Sequence, residues 1–239
     1  MFMVAGIYFM KNLMLTIFTK LLLTIHSKTK LSLMFCFVSA FISAFLDALT
    51  VTAVLIAVAV GFYRIFHLVN SGLAFSTSTH DYQDDSSLSE AGIKDLENFK
   101  AFLRDLIMHG VVGTALGGVC TIVGEPQNLL IANVAGWEFI EFIIKMAPIT
   151  VPVFIAGMIT CFAIEKLHFF GFGNHLPLRI KNIFHEFNDY ELAQSTDERR
   201  LELYIEMLVG IFLIISLAFH LAAVGIIGLG VIILLTSFK

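Results

Sequence analysis

A stretch of membrane-spanning length that cannot remain one helix constrains this chain more than any other feature. From Gly110 to Ala132 it reads GVVGTALGGVCTIVGEPQNLLIA, apolar enough to cross a bilayer. Yet it holds five glycines (Gly110, Gly113, Gly117, Gly118, Gly124), Pro126, and the polar side chains of Glu125, Gln127 and Asn128. Pro126 lacks a backbone donor and clashes with the preceding turn, while Gly124 tolerates the dihedrals of a bend, so the helix is expected to break around 124–128. Broken backbone at membrane depth survives only where it is packed in protein or lines a polar cavity, which marks the stretch as an ion or substrate site.

The rest of the composition fits that setting. With 58% hydrophobic residues, 14% charged residues and a mean hydropathy of +0.88, the chain departs from soluble domains, whose charged fraction is about 25%. It is expected to be an all-α polytopic membrane protein in contact with lipid. The net charge of −4 arises from acids gathered in polar segments, and no basic patch points to nucleic acid. Cys36, Cys120 and Cys161 lie singly in apolar runs, with neither disulfide nor metal-site spacing.

In chain order, residues 1–30 are expected to comprise a helix stub and an amphipathic helix in the membrane interface, its apolar residues interrupted by Lys11, Lys20, His26, Lys28 and Lys30. Residues 31–66 would reach about 54 Å as one helix, too long for one span and too short for two with a turn. A re-entrant hairpin fits, with Asp47 near its tip at mid-bilayer. Residues 67–106 begin as a polar loop with Ser76 to Thr79 and the acids Asp81, Asp84, Asp85 and Glu90. From Ile93 onward, apolar residues at helical spacing predict an amphipathic helix. That helix feeds the broken transmembrane segment, 107–135. Residues 136–165 form a transmembrane helix that Pro148 and Pro152 should kink, preceded by Trp137 as an interfacial anchor. Residues 166–206 read as a second soluble loop. The apolar 207–239 is either one tilted span or a helix, a turn and another helix. Re-entry of 31–66 would gather Lys28, Lys30, the cations of 64–104 and those of 166–200 on one side, leaving Lys145 opposite, which makes the crowded side cytoplasmic.

Asp47 and the break combine into one constellation. An ionised carboxylate at mid-bilayer costs at least ~2.5 kcal/mol on insertion scales, so Asp47 should face protein or a cavity. Exposed carbonyls at the break, with Glu125, Gln127 and Asn128, add oxygen donors, and Ser43, Thr50, Thr114 and Thr121 add hydroxyls. Hard oxygen ligands without Lys or Arg suit a small alkali cation. A carboxylate that carries either a proton or a cation makes the two compete for one site, and competition suffices for exchange if the site opens alternately to each side. Bland alternatives stand beside this: Asp47 can be a structural acid paired elsewhere, and Glu125, Gln127 and Asn128 can hydrogen-bond the freed backbone. His109 and His220 read as packing or interface residues at helix ends in preference to proton relays, and Gly113 with Gly117 as a site of close helix packing. An enzyme is not indicated, since no H-E-x-x-H occurs and Ser43 with Asp47 does not make a catalytic set.

The strings SAFISAFLDALTVTAVLIAVAVGFYRIFH, LRDLIMHGVVGTALGGVCTIVGEPQNLLIA and HLAAVGIIGLGVIILLTS resemble the NhaB family of bacterial sodium/proton antiporters, over essentially the whole chain. FLDALT and GEPQN carry the likeness; the apolar flanks are less specific. The resemblance implies a multi-pass protein of the bacterial inner membrane that exchanges Na+ for H+ without a cofactor. It implies that 31–66 is the re-entrant hairpin of the first of two inverted repeats, that the discontinuous helix at 107–135 faces it, and that Asp47 is the sodium- and proton-binding acid. Family members are about twice as long, so the chain is expected to be one repeat half truncated at both ends, with 207–239 opening a second repeat that is missing. A relative carrying an anionic substrate, or a non-catalytic membrane subunit, remains as an alternative. Expressed alone, these 239 residues are expected not to exchange sodium for protons in sealed vesicles, and sodium-dependent proton flux from them would refute that architecture.

Overall fold

The computed structural model describes residues 11–25, 27–72, 90–174, 176, 178–194, 197–219, 221–222 and 224–237. Among them all regular structure is helical: α1 (Lys11–Thr24), α2 (Lys28–Ser43), α3 (Ala48–Asn70), α4 (Glu90–Gly118), α5 (Pro126–Ala135), α6 (Phe139–Leu167), α7 (Leu178–Gln194), α8 (Asp197–Ala218) and α9 (Val224–Ser237), with a short 3-10 turn at Phe169–Gly171. Two of these, α3 and α6, are long and apolar enough to cross a membrane. The expected features at residues 1–10, His26, Ser76 to Thr79, Asp81, Asp84, Asp85 and His220 lie outside the described residues.

The centre of the fold is the packing of α2 on α4. Gly113 and Gly117 sit directly on the backbone of Cys36 and Ala40, and a β-carbon at either glycine would overlap a carbonyl of α2. Side chains of ordinary size would hold the two backbones apart, so this approach needs glycine. Paired residues advance together, Cys36 with Gly113, Ala40 with Gly117 and Ala44 with Thr121, so α2 and α4 run parallel. α3 runs the other way, meeting α4 through Thr52 with Thr114, Leu55 with Gly110 and Phe66 with Phe99. α2 and α3 are therefore antiparallel arms joined at 44–47, each packed chiefly on α4 and hardly on the other.

α1 covers one side of these arms with buried Met14, Phe18 and Leu22, Phe18 lying against Phe35 of α2. It ends at Thr24, so Lys28 and Lys30 belong to the hairpin arm and not to the interfacial helix expected for 1–30. The amphipathic segment before the break and the first part of the broken span are one continuous helix, α4, of 29 residues. Segment 166–206, expected as a soluble loop, contains α7, whose Ile180, Ile183 and Phe184 recur at helical spacing and are buried. Phe184 packs against Phe62 and Phe99, so apolar periodicity inside a polar segment is satisfied by burial on the core. Among the described residues the C-terminal apolar region holds two helices, α8 and α9.

α6 continues through Pro148 and Pro152 without interruption. It packs antiparallel on α2 and α4, through Phe154 against Phe37 and Gly157 against Leu116. Its other faces expose Ile144, Ile149, Val153, Ile155 and Ile159.

Gly117→Val is expected to destabilise the fold by about 1–3 kcal/mol or more through overpacking of the α2–α4 contact. Gly61→Ala in α3, where nothing lies within 4 Å of the added carbon, should be neutral or stabilising. Thermal unfolding in detergent compares them, and equal melting temperatures for the two variants would contradict the packing described.

Candidate ion site

The turn between α2 and α3 and the interruption between α4 and α5 face each other. Because α2 and α4 are parallel and end at the same level, both lose helical structure there together. Asp47 occupies the N-cap of α3, its Oδ2 accepting from the Thr50 amide at 3.1 Å and the Thr50 hydroxyl at 3.2 Å. No hydrogen bond among the described residues involves its Oδ1. The carboxylate is half-buried and within electrostatic reach of Glu125, whose side chain also hydrogen-bonds Gln127.

The interruption spans 119–125, slightly earlier than the 124–128 expected from sequence. Pro126 is not inside the break but is the first residue of α5, with Glu125 as its N-cap. At a first helical position proline's missing donor costs nothing, because that amide has no intrahelical acceptor anyway. Gln127 and Asn128 accordingly sit in the first turn of α5. Their fates differ: Gln127 is exposed, while Asn128 is buried.

Asn128 braces the break. Its Nδ2 donates to the Gly118 carbonyl at 3.0 Å and the Thr121 carbonyl at 2.8 Å, tying the end of α4 to the start of α5. Thr121 ties the break to the hairpin: its hydroxyl donates to the carbonyl of Ala44 and accepts from the amides of Val123 and Gly124, each at 3.3 Å. Ser43 adds a second tie, its hydroxyl donating to the Thr114 carbonyl at 2.8 Å. The Thr114 hydroxyl lies 3.4 Å from that of Thr52 on α3. Gly124 is packed so closely on the carbonyls of Gly118 and Ser43 that a side chain there would displace backbone. Of the sequence-derived site residues, Ser43, Asp47, Thr50, Thr121, Gly124, Glu125 and Asn128 lie where the turn and the break meet; Gln127 is exposed and reaches them through Glu125, and Pro126 is exposed. Thr121, Ser43 and the Asn128 amide are spent largely on holding the backbone, and Asp47 and Glu125 supply the charge.

Two acids within electrostatic reach of each other stand here with no neighbouring base in sequence: neither Lys nor Arg occurs between Leu31 and Tyr63 or between Asp105 and Ile144. Carboxylates within electrostatic reach of each other repel. Among the described residues no cluster of three His, Cys, Asp or Glu side chains is placed to hold a metal. A cation here would therefore draw on carbonyl and hydroxyl oxygens as well as the two acids.

Sequence reasoning missed a second polar cluster, at the far end of α2. Lys28 is buried, its Nζ 3.7 Å from Asp105 and 3.6 Å from Glu165, and it lies over the Phe102 ring. Counted from sequence as an interfacial charge, it is enclosed because α4 and α6 each bring a carboxylate to it. His109 is likewise not at a helix end: it is buried within α4 and bonded to Glu165 at 2.9 Å. The available signal was the four-residue step from Asp105 to His109, which continues onto the helix face carrying Gly113 and Gly117.

The model of the family described as Bacterial Na+/H+ antiporter B (NhaB) matches residues 1–239. Among curated relatives, proteins named Na(+)/H(+) antiporter NhaB are similar throughout: that of Aeromonas hydrophila is 57% identical over 99% of this chain and 45% of its own length. That of an Enterobacter species is 58% identical over 100% of this chain and 46% of its own. That of Vibrio cholerae is 57% identical over 99% and 44%. The chain spans less than half the length of these relatives. No solved structure matches it.

Asn128→Ala leaves two buried carbonyls without their donor and is expected to cost about 2–4 kcal/mol. Gln127→Ala, on the exposed side of the same turn, should stay within about 0.5 kcal/mol of wild type. Chemical or thermal unfolding distinguishes them; a neutral Asn128→Ala would show that the brace carries no stability.

Proposed function

The chain belongs to the bacterial Na+/H+ antiporter B (NhaB) family, and from that premise we propose that it supplies one half of the ion path of a sodium/proton antiporter of the bacterial inner membrane, with Asp47 as the acid that carries either H+ or Na+. The observation that carries this is the meeting of Asp47 with the interrupted α4–α5 segment. A carboxylate with one oxygen held by Thr50 and the other in no hydrogen bond among the described residues sits at the unwound backbone, within electrostatic reach of a second acid.

Asp47 supplies a fixed negative oxygen, Glu125 a second, and the backbone of 119–125 supplies carbonyls that no longer serve a helix. Na+ is a hard cation, and such oxygens can replace its water. A proton on Asp47 removes the charge that attracts the cation, so the two occupants exclude each other. Exchange follows when the occupied site opens to one side and then the other, with no net need for both to leave at once. Asp47 and Glu125 disfavour the alternative of an anionic substrate, because two acids with no base repel an anion.

The hairpin is proposed to be re-entrant. With 16 residues, α2 extends about 24 Å, short of the ~30 Å hydrocarbon layer, so its turn would stop inside it. α3, with 23 residues, returns past the level at which α2 begins. Asp47 would then lie within the membrane, at the depth where half-helix ends hold ions in transporters built on broken helices.

In the complete polypeptide carrying this segment, Asp47→Asn is expected to reduce sodium-driven proton flux in sealed vesicles to background. Thr50→Ala, which removes one hydroxyl donor but keeps the acid, should lower flux only partly. Normal exchange by Asp47→Asn across pH 7 to 9 would exclude Asp47 as the exchanging group.

A further inference from the structure

We propose that His109 and Glu165 form a second proton-binding site, separate from Asp47, reached through a polar cavity beside Lys28. It rests on the antiporter reading only for its purpose; the site itself is argued from the cluster.

His109 Nε2 and Glu165 Oε2 are 2.9 Å apart with side chains 3% and 1% exposed. A contact that short between a ring nitrogen and a carboxylate oxygen has a proton in it. The question is whether the ring carries one proton or two. The surroundings supply the answer in charge. Facing the pair are Lys28 from α2, Asp105 from α4 and the Cys161 thiol from α6, with the half-exposed Arg104 beyond, bonded to Asp105 at 3.0 Å. Within the buried part, two carboxylates meet one ammonium. With the half-exposed Arg104 on Asp105, the two carboxylates face two cations; a second proton on the imidazole adds a third positive charge, the one nearest Glu165, and its loss removes it.

A route for that proton is present. A cavity of about 220 Å3 is lined by Lys28, Thr29, Glu165, Lys166, His168 and Gly173. Among the described residues, Lys28 Nζ and Glu165 Oε1, two buried atoms of its lining residues, meet no group at hydrogen-bond geometry and face each other at 3.6 Å as an ion pair. A buried ammonium and a buried carboxylate oxygen left this way call for water, and the space is sufficient for several molecules. Water there would touch Glu165 on the oxygen that His109 does not use, joining the pair to the membrane face at which α2 begins. On its other side the cluster is closed. Phe172 lies against the His109 ring, and Asn174 donates to Asp105 Oδ2 from both its backbone amide, at 3.2 Å, and its side chain, at 2.9 Å.

Such a site, at the opposite end of α2 from Asp47, sets the charge between α2, α4 and α6 according to pH, and so biases how firmly α6 is held to the pair that carries the ion site. A plain brace made of the same residues would hold the helices equally at every pH. The two differ in one readout.

The test is the melting temperature of the complete polypeptide in detergent, without sodium, from pH 6 to 9, for wild type and His109→Gln. The expected result is a difference between them that changes by several degrees across this range. Should His109→Gln fail to fold, Glu165→Gln, which keeps a hydrogen-bonding partner for the ring, carries the same comparison. A constant offset at all pH values in the variant that folds overturns the proposal. Because neither sodium nor transport enters this measurement, its failure leaves the role of Asp47 untouched. Loss of the Asp47 assignment likewise leaves this result standing.

Discussion

The contact on which the structure depends is that of α4 with the backbone of α2 at Gly113 and Gly117. Within lipid, helix association gains little from the hydrophobic effect and depends on close packing and hydrogen bonds between helices. Glycine at two positions one turn apart lets the two helices run parallel at backbone contact. Two helices packed in parallel that end at the same level bring their ends together. The hairpin turn and the α4–α5 interruption meet for that reason, and Asp47 is carried to the break without any long-range reach of its own.

The same seam has two polar ends. At one, freed carbonyls are bound by Asn128, Thr121 and Ser43, which leaves Asp47 and Glu125 as charge without a base. At the other, Lys28 and His109 are matched to Asp105 and Glu165. Between them lie Cys36, with its sulfur 3.9 Å from that of Cys161, and the glycine contacts. Cations meet carboxylates at one end of the seam, while at the other the two acids face no Lys or Arg nearby in sequence.

Much of this was legible in the sequence, and the reasons for the rest are physical. Asp47 and the Gly-Glu-Pro-Gln-Asn run stand out because polar and helix-breaking residues are expensive in an apolar stretch, which makes them visible without neighbours. Gly113 and Gly117 were legible as a packing site, but not the partner they pack on. The break fell earlier than expected because a proline was read as the point of rupture, whereas it opens the following helix. Lys28 and Glu165 lie at helix ends, where charge is ordinary, and only their shared neighbours in space make them unusual. α7 was hidden because its apolar positions are diluted by charged ones, so average polarity concealed the period of Ile180, Ile183 and Phe184.

Whether one acid serves both proton and sodium is decided most directly by calorimetry of Na+ binding to the complete polypeptide in buffers of different ionisation enthalpy, which counts protons released per ion bound. The wild type should release a proton as sodium binds, and the Asp47→Asn protein should release none. Sodium binding without proton release in the wild type, or release that persists in Asp47→Asn, would contradict a shared site at Asp47.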